Sequence, residues 1–439
     1  MRMQKVILVG GNLSSDPEFD RSMEELENLA KACELEVAAR TAQNISAVNT
    51  AFYIGSGKVE EVRRMAEMLE AQLIIFNDSL TPTQQRNLQK ALDVPVWDRT
   101  GLILEIFSRR ARTREARLQV ESARLQYMLP RLVGMREALS RQGGGAGAGG
   151  GFGAGGGFSN RGAGETKLEL DRRKIEKRLS ELRRELDIVE KDRRTQRKKR
   201  EGSELPSVAL VGYTNAGKST LLNALLKRCD SPQEKQVMEK DMLFATLDTT
   251  VRRISPGDNR DFLLSDTVGF IDKLPHSLIK AFRSTLEEAC SADLLLLVAD
   301  ISDGHCREQM KVAQETLREL GAEKIPCIYV MNKADRTTEP DQLPKRIGDR
   351  IYLSAKAGIG LEELLDMIRE KLFSDYVECE MEIPYTDGSS AAWLRENALV
   401  YGTEYREDGL WMRLSCKKSD AGRFAGYVIP DSARGGRNG

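Results

Sequence analysis

The nine residues GYTNAGKST, Gly212 to Thr220, constrain the fold of this chain more than any other stretch. They match the pattern GxxxxGK[ST], with Gly212, Gly217, Lys218 and Ser219 at the fixed places, after the β-rich run SVALV and before the helical run TLLNALLKR. In a strand–loop–helix setting the backbone of such a loop wraps a phosphate chain. Its N–H groups turn inward, at a helix N-terminus that already favours anions. Lys218 then brings a positive charge to the β- and γ-phosphates, and Ser219 brings a hydroxyl to Mg²⁺. Tyr213, Thr214, Asn215 and Ala216 complete the loop.

Three later motifs follow in the order that a guanine-nucleotide switch requires. DTVG supplies Asp266, placed to bind Mg²⁺ through water, and Gly269, whose N–H senses a γ-phosphate, with Thr267 and Val268 between them. NKAD supplies Asn332, Lys333, Ala334 and Asp335. The Asp335 carboxylate accepts both N–H donors of the guanine edge, a pattern that adenine does not offer. SAK, Ser354, Ala355 and Lys356, closes the base pocket. Between the phosphate loop and DTVG lies LFATLDTTVRR, in which Thr246, Thr249 and Thr250 compete to close on Mg²⁺ and the γ-phosphate. Lys218, Gly269 and such a threonine are the expected catalytic groups. Many GTPases orient the attacking water with a glutamine after DTVG, but here that residue is Phe270. The only histidines, His276 and His305, read as structural or surface residues.

These motifs fall in the third of four blocks. Residues 1–107 alternate β-rich runs (KVILVG, LEVAAR, AQLIIFND, VPVW) with helical ones, which predicts a small, mostly parallel α/β domain. Residues 203–375 alternate again and predict the GTPase domain, with PSVALVG, DFLLSDTVG, ADLLLLVAD and IPCIYVMN as strands of a doubly wound, mostly parallel sheet. Residues 376–439 predict a small α+β domain. In YIGSGKVEEV, Gly55, Gly57 and Lys58 precede a helix without the full phosphate-loop spacing, which reads as a tight turn. The seven cysteines are dispersed, with no CxxC, as in a reduced, cytoplasmic protein. No run approaches the length of a bilayer span, which leaves at most a peripheral association with a membrane. A monomer is expected.

The second block, residues 108–202, predicts an antiparallel helical hairpin. Leu118, Leu125, Leu129, Leu132, Met135 and Leu139 repeat at helical spacing, as do Leu168, Ile175, Leu179, Leu182, Leu186 and Val189. Pro130 is expected to kink the first arm. Between the arms lies a glycine ribbon, residues 143–164, at the tip of the hairpin; it cannot hold one shape against water, so it is either a slack linker or a loop that something else orders. Lys plus Arg equals Asp plus Glu, 67 each, so any attraction to nucleic acid must come from uneven placement. The hairpin ends supply it, from Arg109, Arg110, Arg112, Arg114 and Arg117 to the run RRTQRKKR at Arg193 to Arg200.

The motif array, with FATLD and with GAGETKLELDRR at the start of the second arm, resembles the HflX family of ribosome-associated GTPases over essentially the whole chain. The resemblance implies that Phe244, Ala245, Thr246, Leu247 and Asp248 cover the nucleotide, with Thr246 the Mg²⁺ ligand among the three threonines. This chain has Ala163 where the family pattern usually has proline, and its ribbon is longer than usual. In similar GTPases an asparagine at the place of Asn215 binds K⁺, whereas as a good turn residue Asn215 also suits the loop without any ion. The resemblance further implies GTP and GDP as ligands and the ribosomal large subunit as partner. The N-terminal domain and the hairpin tip would dock on ribosomal RNA, and the GTP form would split or rescue stalled ribosomes. A GTP-controlled coiled-coil scaffold and a ribosome-assembly factor are the alternatives.

Overall fold

The apolar runs of the first hundred residues form a four-stranded sheet in a computed structural model of the chain, which describes residues 3–14, 16–142, 160–201, 205–229, 244, 250–257, 260–272, 289–337 and 339–429. The ribbon falls outside the described residues. Two compact units form, one from residues 1–199 with 240–248 and 271–285, the other from residues 200–239, 249–270 and 286–439.

In the first unit the strands are β1 (Gln4–Leu13), β2 (Leu35–Ile45), β3 (Leu73–Phe76) and β4 (Val96–Asp98). They pair in the order β2-β1-β3-β4, all parallel. Helices α1 (Phe19–Ala32), α2 (Ser56–Leu69) and α3 (Pro82–Leu92) make the connections, and α4 (Arg99–Arg110) leads out of β4. On α1 the buried positions Phe19, Met23, Leu26 and Ala30 fall three and four apart, so one stripe faces the sheet. Each large apolar side chain so buried contributes about 1.5–3 kcal/mol. Thr81 and Gln84 form a capping box that starts α3. Asp98 starts α4 by accepting the Gly101 N–H at 2.8 Å.

The hairpin arms are α5 (Arg114–Gln142) and α6 (Asn160–Glu201). Arg178 on α6 grips Glu121 on α5 with two hydrogen bonds, at 2.7 and 2.9 Å, and Arg114 lies 3.5 Å from Glu185. Residue numbers that fall on one arm as they rise on the other make the arms antiparallel. Arg109 and Arg110 sit on the last turn of α4 instead of on the hairpin, because the chain turns at Ala111. The helix α5 runs without a break through Pro130.

The second unit carries β5 (Ser207–Gly212), α7 (Lys218–Arg228), β6 (Thr250–Ile254), β7 (Phe262–Asp266), β8 (Leu294–Asp300), α8 (Cys306–Glu319), β9 (Cys327–Asn332), β10 (Lys345–Ile347), β11 (Arg350–Tyr352) and α9 (Leu361–Leu372). Its seven-stranded sheet has the order β10-β11-β9-β8-β5-β7-β6, parallel through the middle with β6 and β10 antiparallel at the edges. The sequence pattern indicated the central strands and not these edges. A half-exposed TVRRI and a three-residue, exposed KRI carry no buried run to read. In the same unit, β12 (Tyr376–Pro384), β13 (Leu399–Tyr405) and β14 (Gly409–Lys417) form an antiparallel sheet with short helices, ordered β12-β14-β13. Among the described residues no helix is long and apolar enough to cross a membrane.

Candidate nucleotide site

Strand β5 lies between β8 and β7 and ends on Gly212, whose φ of +142° suits glycine alone. An added Cβ would fall 2.2 Å from the Val298 carbonyl oxygen. The loop then runs beside β9 before α7 begins. Gly217, at φ +94°, passes so close to Asn332 that an added Cβ would meet its Nδ2 at 2.3 Å. Lys218 is buried and donates from Nζ to the carbonyls of Gly212 at 3.0 Å and Tyr213 at 2.8 Å. Burial pulls its ammonium down to about 8, with Asp266 opposing the shift. A phosphate chain in the loop would add negative charge beside this buried ammonium.

Asp266, at the end of β7, is fully buried and accepts the Ser219 hydroxyl at 2.7 Å. Beyond it, Thr267 donates to the Leu210 carbonyl at 2.6 Å and Val268 is buried. The segment then closes against the phosphate loop. The Phe270 N–H donates to Gly212 at 3.0 Å, the Phe270 carbonyl accepts the Thr214 N–H at 2.8 Å, and Gly269 has no room for a side chain against Thr214 and Lys218.

The base-side motifs meet the same loop through Asn332. Its side chain is buried, with Nδ2 donating to the Ala216 carbonyl at 2.9 Å and Oδ1 accepting the Ala355 N–H at 3.0 Å. It is therefore a crossbar between the phosphate loop and SAK. Lys333, in the left-handed conformation, donates to the Asn215 carbonyl at 3.0 Å and to Asp300 at 2.7 Å. Ala334 is buried, and Asp335 follows it on an exposed turn with its carboxylate open to solvent. Ser354 is buried and pairs with Ile359 through its backbone, while Lys356 is exposed. Asn215 is exposed with φ +62°, a conformation that asparagine tolerates.

The second unit thus gathers four motifs that the sequence spreads over 145 positions, from Gly212 to Lys356. Asp300 was missed by sequence reasoning. Its signal was available, since an aspartate closing the buried run LLLLVAD stands at the carboxyl end of a parallel strand, where such sheets bind ligands. Ala245, Thr246, Leu247, Asp248 and Thr249 lie outside the described residues, as does His276. Phe244 is buried in the first unit, edge-on to Phe107 of α4 at 4.7 Å. Thr250 opens β6 opposite Asp266, and His305 is exposed before α8. At GSGK, Gln43 takes the Gly55 N–H at 2.8 Å and Glu61 holds Lys58 at 2.7 Å, so the stretch is a turn into α2.

Residues 20–108 match the family model "GTP-binding GTPase N-terminal", residues 110–200 "GTP-binding GTPase Middle Region" and residues 207–333 "50S ribosome-binding GTPase". GTPase HflX of Caldanaerobacter subterraneus subsp. tengcongensis is 42% identical over 97% of this chain and 94% of its own length. The chain belongs to the HflX family of GTPases. GTPase HflX of Escherichia coli (strain K12) is 36% identical over 95% of this chain and 97% of its own length. Among solved structures, a GTP-binding protein from Sulfolobus solfataricus in complex with GDP is 24% identical, with a TM-score of 0.43 over 85% of this chain and 99% of that one. As an HflX-family GTPase, the chain binds GTP and hydrolyses it to GDP and phosphate.

Proposed function

We propose that this GTPase acts on the ribosomal large subunit from the cytoplasm, docking through its N-terminal domain and hairpin and releasing when GTP is hydrolysed. The observation that carries the reading is the match of residues 207–333 to the model of 50S ribosome-binding GTPases, in a chain that also bears an arginine-rich hairpin base. Arg112, Arg114 and Arg117 are exposed there. Exposed guanidinium groups of this kind contact phosphates without reading sequence. In the sequence the glycine ribbon lies between two long helices, and insertion into a crowded RNA cavity is the role we assign to it. Docking then splits or rescues stalled ribosomes.

Within the G domain, Lys218 holds the β- and γ-phosphates, Asn332 and Asp335 select guanine, and Ser354, Ala355 and Lys356 close the base pocket. Ser219 and Asp266 present hard oxygen donors 2.7 Å apart, which suits Mg²⁺, with Thr246 completing the set when GTP is bound. An Mg²⁺ held by these oxygens would supply positive charge to the phosphates. Gly269 reports the γ-phosphate through its N–H. The Asn215 side chain would hold a K⁺ ion, whose positive charge would stabilise the transition state. Phe270 has no group to orient water, so turnover is slow in the free chain and rises on the ribosome, where docking reshapes the switches.

Gradient sedimentation of large subunits with the chain and a non-hydrolysable GTP analogue tests this directly. Co-migration that falls steeply with salt is expected. A chain that stays at the top of the gradient at low salt refutes the reading, and salt-insensitive binding would favour a leucine-seam scaffold.

A further inference from the structure

A cavity of about 330 Å³ opens between α3, β4, α4 and α5 in the first unit, well away in sequence from every nucleotide motif. That volume lies at the lower end of the range of small-molecule sites, roughly 300–1,000 Å³. Its apolar wall is built by Trp97, Leu104, Tyr127 and Met128. Its charged rim is basic, with Arg86, Arg124 and Arg131 against the single carboxylate of Glu105, which Arg109 already holds at 3.0 Å.

The arginines are not equivalent. Arg131 is locked by Gln85 at 2.7 Å, by the Tyr127 carbonyl at 2.8 Å and by Asp98 at 3.0 Å, with its guanidinium stacked 3.3 Å over the Tyr127 ring. The Tyr127 hydroxyl in turn donates to Asp98 at 2.7 Å, and the same fully buried carboxylate starts α4. This network holds an aromatic ring and a guanidinium plane rigid at the edge of the cavity. Arg124 is different, because it is exposed and has no ion-pair partner among the described residues. A rigid flat wall beside a free cation matches the two halves of a nucleotide. Unstacked bases lie on aromatic rings and guanidinium planes, and phosphates take guanidinium donors. A free phosphate would leave the aromatic wall unused, and an aliphatic side chain of a protein partner would leave the basic rim unused.

We infer that this cavity holds one unstacked nucleotide of a single-stranded RNA segment, its base against Trp97 and Tyr127 and its phosphate on Arg124 and Arg86. The inference rests on the ribosomal reading and adds to it a base-sized subsite on the N-terminal domain.

The test uses the full chain saturated with GDP, so that the guanine site is occupied, and a short uridine oligomer carrying 4-thiouridine as probe. Anisotropy measures its affinity, and photocrosslinks are mapped by mass spectrometry. Crosslinks should fall on Trp97, Tyr127 or Met128. Arg124→Glu and the cavity-filling Met128→Trp, both at exposed positions that folding does not depend on, should each weaken binding about tenfold or more. Arg307→Glu on α8, the same charge change at an exposed position of the second unit, should leave it within about twofold. Equal losses in Arg124→Glu and Arg307→Glu, or crosslinks confined to other surfaces, overturn the inference. Sedimentation separates the two readings. Oligomer crosslinks in the cavity without ribosome binding keep the subsite and sink the docking, whereas ribosome binding with no cavity crosslinks and no loss in either variant sinks the subsite alone.

Discussion

Replacing Asn332 by alanine removes the crossbar between the two halves of the nucleotide site. The structure sets the size of the effect. The change strands two buried backbone groups, the Ala216 carbonyl and the Ala355 N–H, which now bond to the amide at 2.9 and 3.0 Å. Each buried group left without a partner costs about 1–3 kcal/mol. The truncated side chain leaves room in which water can recover part of that, so a net loss of about 2–4 kcal/mol is expected. Because the lost bonds align the phosphate loop with SAK, at least 1.4 kcal/mol of this should appear as roughly tenfold weaker GDP binding. Asn332→Asp is the sharper variant. It keeps an acceptor for Ala355 but turns a carboxylate oxygen toward the Ala216 carbonyl, and it should be as damaging as alanine despite its shape. Fluorescent-GDP titration reads the affinity, and hydrogen exchange at the Ala355 amide reads the crossbar itself, which should lose protection in Asn332→Ala and retain more in Asn332→Asp. Wild-type GDP affinity and wild-type exchange at Ala355 in the alanine variant would refute the argument.

Gly217→Ala should abolish nucleotide binding while leaving the first unit folded, since an added Cβ meets Asn332 at 2.3 Å in a φ that side chains resist; equilibrium dialysis with GDP checks it, and retained binding would mean that the loop yields. Asp335→Asn should move preference from GTP toward XTP, because the amide offers a donor where xanthine offers an acceptor; parallel titrations decide, and an unchanged GTP preference removes Asp335 from base reading. Exchanging K⁺ for Na⁺ should slow GTP hydrolysis by the wild type several-fold and leave Asn215→Ala unaffected; equal wild-type rates in both salts would reduce Asn215 to a turn residue.

The local chemistry of the phosphate loop was legible in the sequence because it depends on covalent neighbours. A glycine at each tight place, a lysine and a hydroxyl at one helix start, and a buried strand before them specify an anion cradle wherever the loop is put. The alternation of β-rich and helical runs likewise indicated both parallel sheets, since a strand buried on two faces needs a continuous apolar run. The antiparallel hairpin was legible from two leucine stripes, although only the fold showed Arg178 locking onto Glu121 across it. What the tertiary structure alone decided are the contacts that join residues far apart in the chain. Nothing in NKAD says that Asn332 bonds Ala216 and Ala355 at once, 116 positions back and 23 ahead, or that Asp300 steadies Lys333. The edge strands were illegible for a related reason, because an exposed edge is stabilised by its neighbour's backbone and leaves little mark on its own side chains. The basic cavity of the first unit is the clearest case. Trp97, Arg86 and Arg124 come from a strand and two helices with no shared motif, and only the packing of α5 against both α3 and α4 turns them into one surface.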